Sequence, residues 1–138
     1  MIAVDTSVWV AALRRADSPE AAVLSALLDD DAVLLPYPVR LEILSGASPR
    51  DLGRLRRSLA ALPVAYPNDE TWRAIEPMLE RAAHAGERFG LGDVLIAALA
   101  DEQGALVWSL DTDFARLERL GLARCYEPPR MEPPRSRR

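Results

Sequence analysis

Short apolar runs alternate with helical stretches along nearly the whole chain, and this alternation restricts the fold more than any other feature of the sequence. Ile2-Ala3-Val4, Ala32-Val33-Leu34-Leu35 and Ala105-Leu106-Val107-Trp108 have the length of buried strands and stop at an acid, a proline and a polar turn. Val64-Ala65 reads as a minor strand and Ala123-Arg124-Cys125-Tyr126 as the last one. The intervening helices carry their own start signals. Val8 to Leu13 has helical length, and Ser18-Pro19-Glu20 offers a hydroxyl cap, a first-turn proline and a first-turn acid for a helix to about Leu28. Pro38 opens a helix that ends near Ser45-Gly46, and Pro49 opens another with Leu52, Leu55, Leu59 and Leu62 at helical spacing. Asn68-Asp69-Glu70 caps a helix through Trp72, Ile75, Leu79 and Ala83, which Pro77 is expected to kink or divide. Such alternation implies an α/β fold in which a parallel sheet is covered by helices on both faces.

One helix is set apart by its composition. Val94-Leu95-Ile96-Ala97-Ala98-Leu99-Ala100 is apolar on every side, so a helix from Asp93 to Gln103 is expected in the centre of the molecule, ended by Gly104. A last helix is expected from Thr112 to Leu120. With 138 residues the chain has the size of one ordinary domain. Residues 1–126 form that domain in this reading, and the Pro- and Arg-rich segment 127–138 has too little apolar surface to fold and is expected to be disordered.

Several function classes are excluded early. No apolar run approaches the roughly 20 residues of a membrane-spanning helix. Met1-Ile2-Ala3-Val4-Asp5 lacks the basic start of a secretory or transit sequence, so the cytoplasm is the expected location. Cys125 and His84 are each alone, which leaves no Cys/His zinc site, and any metal must be held by oxygen. The net charge is −4, and residues 1–126 alone carry 13 arginines against 19 acids, or −6. A body so acidic cannot hold nucleic acid by electrostatics unless cations offset some of its carboxylates.

Which acids matter follows from where they fall. Asp5 closes the first strand, Asp93 opens the buried helix and Asp111 follows the strand Leu106-Val107-Trp108, so all three lie where strands end or helices begin, the edge at which parallel sheets bind ligands. Helix capping would by itself account for each of them. Glu42 sits in the apolar turn Val39-Arg40-Leu41-Glu42-Ile43-Leu44 and is expected to face something polar inside, with an ion pair to Arg40 as the plainer alternative. Carboxylates in this number suit Mg2+ or Mn2+, which prefer oxygen ligands.

Four segments then carry a family resemblance. Asp5-Thr6-Ser7 after the first strand, Leu41-Glu42-Ile43-Leu44-Ser45-Gly46 after Pro36 and Pro38, Gly92-Asp93-Val94-Leu95-Ile96-Ala97-Ala98-Leu99-Ala100, and Ser109-Leu110-Asp111-Thr112-Asp113-Phe114 closely resemble the PIN-domain ribonucleases, within them the VapC-type toxins, in the family's order and at its intervals. The resemblance spans residues 1 to about 126. It implies a three-layer α/β/α sandwich around a parallel sheet and a metal-dependent endoribonuclease whose products carry 3′-hydroxyl and 5′-phosphate ends. It also implies that Asp5, Glu42, Asp93 and Asp111 are catalytic metal ligands for Mg2+ or Mn2+. Thr6 or Ser7 and Ser109 match the family's hydroxyl positions, and Asp113 is an outer contributor. A small VapB-like antitoxin and a homodimer are the implied partners.

Two other aspartate-based folds fail on single residues. A receiver domain needs an acidic pair after its first strand and a lysine, and this chain has one acid there and no lysine. A haloacid-dehalogenase-like phosphatase needs an aspartate at position 7, which is serine. A non-catalytic PIN-like module that binds RNA or protein is the remaining alternative.

Overall fold

The computed structural model describes residues 1–130. The chain runs β1 (Ile2–Val4), α1 (Thr6–Arg14), α2 (Pro19–Asp29), β2 (Val33–Pro36), α3 (Tyr37–Ser45), α4 (Pro49–Ala60), β3 (Val64–Ala65), α5 (Asp69–His84), α6 (Leu91–Glu102), β4 (Leu106–Trp108) and α7 (Asp113–Arg119). The strands pair in the order β3-β2-β1-β4, all parallel, and helices flank the sheet in a three-layer α/β/α sandwich. Each crossover contains helices because parallel neighbours need a long connection.

The order of strands determines where a ligand fits. From β1 the chain moves through α1 and α2 to β2, whereas after β4 it passes through α7 to a bridge on the far side, Val107 to Cys125. Loops leaving β1 and β4 therefore part in opposite directions and open a crevice at their carboxyl ends, the switch point of a doubly wound sheet. Ile2, Ala3 and Val4 pair with Leu106, Val107 and Trp108. One step further, that register sets Asp5 beside Ser109.

The core confirms the reading of the central helix. Residues Val94 to Ala100 of α6 are all buried, and α6 packs on β1, β2 and β4 as well as on α5 and α7. Ser18 accepts the amide of Ala21 at 3.1 Å, as its place before Pro19 predicted. Asn68 and Thr71 form a reciprocal capping box at the start of α5.

Three expectations need correction. Ala123 to Tyr126 is not a strand: only Cys125 makes a bridge to Val107, with the amides of Val107 and Tyr126 donating across it. Pro77 does not divide α5, which runs continuously from Asp69 to His84. Pro77 is exposed, so the Arg73 carbonyl that it leaves without an amide partner lies on a face open to water. The central helix starts at Leu91, two residues before Asp93, with Gly90 as its cap. Beyond Tyr126, residues 127–130 form neither helix nor strand, and Pro128 and Pro129 line a cleft of about 230 Å³ with Pro19, Val23, Trp108 and Leu110. The expectation for 131–138 lies outside the described residues.

Candidate active site

Asp5 stands at the carboxyl end of the central strand and is only 7% exposed. It caps α1, and a single oxygen, Oδ2, receives the Ser7 amide at 3.4 Å, the Ser7 hydroxyl at 2.8 Å and the Ser109 hydroxyl at 2.8 Å. Each hydroxyl has one proton, and both protons point at the carboxylate. The 3.2 Å approach of Ser7 Oγ to Ser109 Oγ is then a contact without a proton between them. The same hydroxyls accept from the chain beyond β4: Leu110 N donates to Ser7 Oγ at 3.0 Å and Asp111 N to Ser109 Oγ at 2.9 Å. Two serines thus tie the turn after β4 to the acid after β1. Among the described residues no donor reaches Oδ1, which is left for a ligand.

Of the two hydroxyls beside Asp5, Ser7 makes these bonds. Among the described residues the buried Thr6 hydroxyl has no partner, nor has the indole N–H of Trp9 one turn later.

Asp93, Asp111 and Asp113 each bring a carboxylate oxygen to within 4.8 Å of one another. Asp93 is the third residue of α6, with the uncapped helix N-terminus behind it, since Gly90 offers no side chain to the first amides. Asp111 Oδ1 accepts the Asp113 amide at 3.0 Å and so starts α7 from outside. Burial pushes the Asp93 carboxyl up to about 7, helped by a hydrogen bond with Asp113 and by the charges of Asp111, Asp113 and Asp5. Asp93 thus feels the charges of the other three aspartates.

Asp113 is held from the other side. Arg116, one turn on, donates to its Oδ1 at 2.7 Å, also bonds Glu87 and the Arg88 carbonyl, and lies 4.5 Å over the Phe89 ring. Glu87 first, and then Asp113, raise the pKa of a guanidinium that is charged in any case. The clamp joins α7 to the segment leading into α6. Nothing in the sequence singled out Arg116 or Glu87; their separation of 29 residues gives no local signal.

Glu42 is placed differently from its expectation. Its side chain is exposed, it makes no ion pair with Arg40 among the described residues, and it is not in the group formed by Asp93, Asp111 and Asp113. On α3 only Val39 and Ile43, four residues apart, turn fully inward. Glu42 lies on the wall of an open groove of about 380 Å³ between α1, α3 and α4, with Val10, Leu13, Arg14, Ile43 and Leu55. Cys125 takes no part: burial raises its thiol to about 11, so it is not a thiolate at neutral pH.

Known proteins place this arrangement in context. The sequence profile of the PIN domain matches residues 2–120. Ribonuclease VapC11 of Mycobacterium tuberculosis is 36% identical over 127 residues, covering 87% of this chain and 93% of that protein. Two solved assemblies share the fold at lower identity. FitAB bound to an IR36 DNA fragment aligns with TM-score 0.78 and 20% identity over 97% of this chain and 99% of the other. VapBC2 from Rickettsia felis, bound to promoter DNA, aligns with TM-score 0.74 and 17% identity over 91% and 98%. Nearly the whole described chain lies within the matched profile, and the chain belongs to the PIN domain family.

Proposed function

We propose that the protein is a metal-dependent endoribonuclease and the toxin of a toxin–antitoxin pair, with residues 1–126 as its nuclease domain. The observation that carries this reading is the crevice between β1 and β4, where Asp93, Asp111 and Asp113 bring carboxylate oxygens within 4.8 Å of one another and burial, with the charges of Asp111, Asp113 and Asp5, raises the Asp93 carboxyl to about 7. A site that repels its own charges is complete only with a cation, and an all-carboxylate donor set fits Mg2+ or Mn2+. The ribonuclease name of the VapC11 relative, shared over most of both chains, supports RNA as the substrate.

Bound in the crevice, such a cation supplies a lowered pKa for attacking water and a counter-charge for the scissile phosphate. The chain's residues do the rest. Asp5, with Oδ2 saturated, presents Oδ1 in a fixed direction. Asp93, in its deprotonated form, and Asp111 would hold the cation together with Asp5. Ser7 and Ser109 keep Asp5 and the Asp111 turn in register. Asp113, shared with Arg116, is the outer acid. The family resemblance assigns Glu42 as a further ligand; its exposed side chain stands on α3, on the wall of the groove between α1, α3 and α4. That groove, with apolar walls beside carboxylates, suits a small antitoxin segment bearing apolar and basic side chains. The solved VapBC and FitAB assemblies support a partner of this kind, and a homodimer in the cytoplasm is the expected setting. Among the described residues no helix is long and apolar enough to cross a membrane.

The test is cleavage of a generic single-stranded RNA with Mg2+ or Mn2+ by the wild type, Asp5→Asn, Glu42→Gln and Asp93→Asn, with circular dichroism to check the fold. All three variants should lose cleavage. If two of them retain near wild-type rates the site is wrong, and if the wild type binds RNA without cleaving it the non-catalytic module is the better reading.

A further inference from the structure

The three tyrosines of the chain all lie at the carboxyl rim of the sheet. Tyr126 follows the bridge at Cys125 and packs edge-on against buried Trp108, 5.8 Å between centroids. Tyr37 and Tyr66 are different. They follow the paired residues Pro36 and Ala65 at the ends of β2 and β3, so the strand register that aligns Asp5 with Ser109 leads, two strands across, to this pair. Their rings stack at 4.8 Å with a 38° tilt, and Tyr66 is 61% exposed. Tyr66 precedes Pro67, which holds its backbone extended, while Tyr37 is fixed between Pro36 and Pro38 at the start of α3.

The geometry points to Tyr66, backed by Tyr37, as a stacking platform for a base of single-stranded RNA next to the scissile phosphate. β3 stands two strands from β1, about 10 Å at the usual strand spacing, so a strand laid across the rim sets one base on Tyr66 while a neighbouring phosphate meets the acids. With a net charge of −4 the chain has little charge of its own to hold RNA beyond what a bound cation offsets, and stacking requires none. Every base has a π face, so the platform is indifferent to sequence. Arg40, three residues beyond Tyr37 on the same face of α3 and without an ion pair among the described residues, provides one cation beside the stacked base.

The inference rests on RNA being the substrate, and the test separates the two. Fluorescence anisotropy of a labelled single-stranded oligoribonucleotide is measured on the full chain with Ca2+, for wild type, Tyr66→Ala, Tyr66→Phe and Tyr66→Leu, followed by KM and kcat with Mn2+. Tyr66→Ala and Tyr66→Leu should each bind about tenfold more weakly and raise KM with kcat kept, and Tyr66→Phe should stay within about twofold of wild type. Equal affinity in Tyr66→Ala, or full affinity in Tyr66→Leu, overturns the platform, as does dissociation of a wild-type dimer by Tyr66→Ala in sedimentation, which would show the ring buried between two copies. Cleavage with unchanged KM in Tyr66→Ala sinks the platform alone. A Tyr66-dependent affinity without cleavage by the wild type sinks the nuclease reading alone, and no RNA binding at all sinks both.

Discussion

Asp5 and Asp93 face the same crevice but are held in opposite ways. Asp5 has three donors on one oxygen, two of them serine hydroxyls, of which Ser109 reaches across from the end of β4. Asp93 has burial, like charges and a hydrogen bond with another acid, and its carboxyl rises to about 7. A carboxylate surrounded by donors is a fixed element of the fold, whereas one surrounded by acids responds to protons and cations. The site therefore has a rigid half on β1 and a responsive half on α6 and α7.

The sharpest way to break this contrast is to neutralise each half in turn. Asp5→Asn and Asp93→Asn should both lower cleavage by about a hundredfold or more, since each removes a proposed ligand. Their stabilities in chelator should move apart. Asn at position 5 keeps one oxygen to accept the two hydroxyls but loses the charge that strengthens those bonds and favours the start of α1, and should cost about 1–2 kcal/mol, lowering the melting temperature by several degrees. Asn at position 93 removes repulsion and should leave the melting temperature unchanged or higher. Thermal melts in EDTA decide it: a destabilised Asp93→Asn together with an unaffected Asp5→Asn would invert the assignment.

A second effect, smaller but more specific, is in the pH dependence. The folded value of Asp93, about 7, lies above its ordinary 3.8, so between these values the folded state binds more protons than the unfolded one. Stability of the metal-free protein from this group must then fall as pH rises from about 4 to 7 and level off above. Entry of a cation should release close to one proton at pH 6 and almost none at pH 8.5, and Mn2+ affinity should rise over the same interval. Titration calorimetry in two buffers of different ionisation enthalpy measures the proton count. A count that does not change with pH would remove Asp93 from the ligand set.

The serines extend the contrast to uncharged groups. Ser109→Ala frees the Asp111 amide and removes a donor from Asp5, so the rate should fall about tenfold or somewhat more, with metal affinity reduced in parallel. Thr6→Val is the control. The buried Thr6 hydroxyl has no partner among the described residues, so its loss should be neutral or slightly stabilising in thermal melts and leave the rate unchanged. A loss of activity in Thr6→Val equal to that in Ser109→Ala would mean that the Thr6 hydroxyl supports the site as much as Ser109 does.

What the sequence disclosed depended on how local the signal was. Asp5, Asp93 and Asp111 could be found because strand ends and helix starts leave a pattern in neighbouring residues, and the buried helix because seven consecutive apolar residues leave no polar face. The burial expected of Glu42 rested on the same kind of signal and is not found: its neighbours are apolar, but on a helix only Val39 and Ile43 face inward, and Leu41 beside it is 49% exposed. The segment Ala123 to Tyr126 has the composition of a strand, yet it lies at the edge of the sheet with one partner and pairs at a single residue. The Arg116 clamp was illegible, because its partners are brought together by the packing of α7 on α6 and by the loop before α6, and no spacing in the chain encodes that.

The smallest effect concerns Asp113, which belongs to both halves of the contrast. It shares the acidic group with Asp93 and Asp111 but also accepts from Arg116 at 2.7 Å, so part of its charge is already offset. Asp113→Asn should therefore reduce cleavage by only about three- to tenfold, well below the effect at Asp93, as expected for a residue beside the ligands. Arg116→Gln tests the reason for this mildness. Losing the guanidinium releases Asp113 and Glu87 together and frees the segment around Phe89 that leads into α6. Two opposing consequences follow: the acids gain effective charge, which favours the cation, and they lose their fixed positions, which favours it less. At about 28% exposure the clamp is partly screened by water, so the positional term should win and Mn2+ affinity should fall modestly. In the double variant Asp113→Asn/Arg116→Gln the two losses should be less than additive, because the clamp acts on the site through Asp113. Full additivity would mean that Arg116 acts through Glu87 and the α6 approach alone.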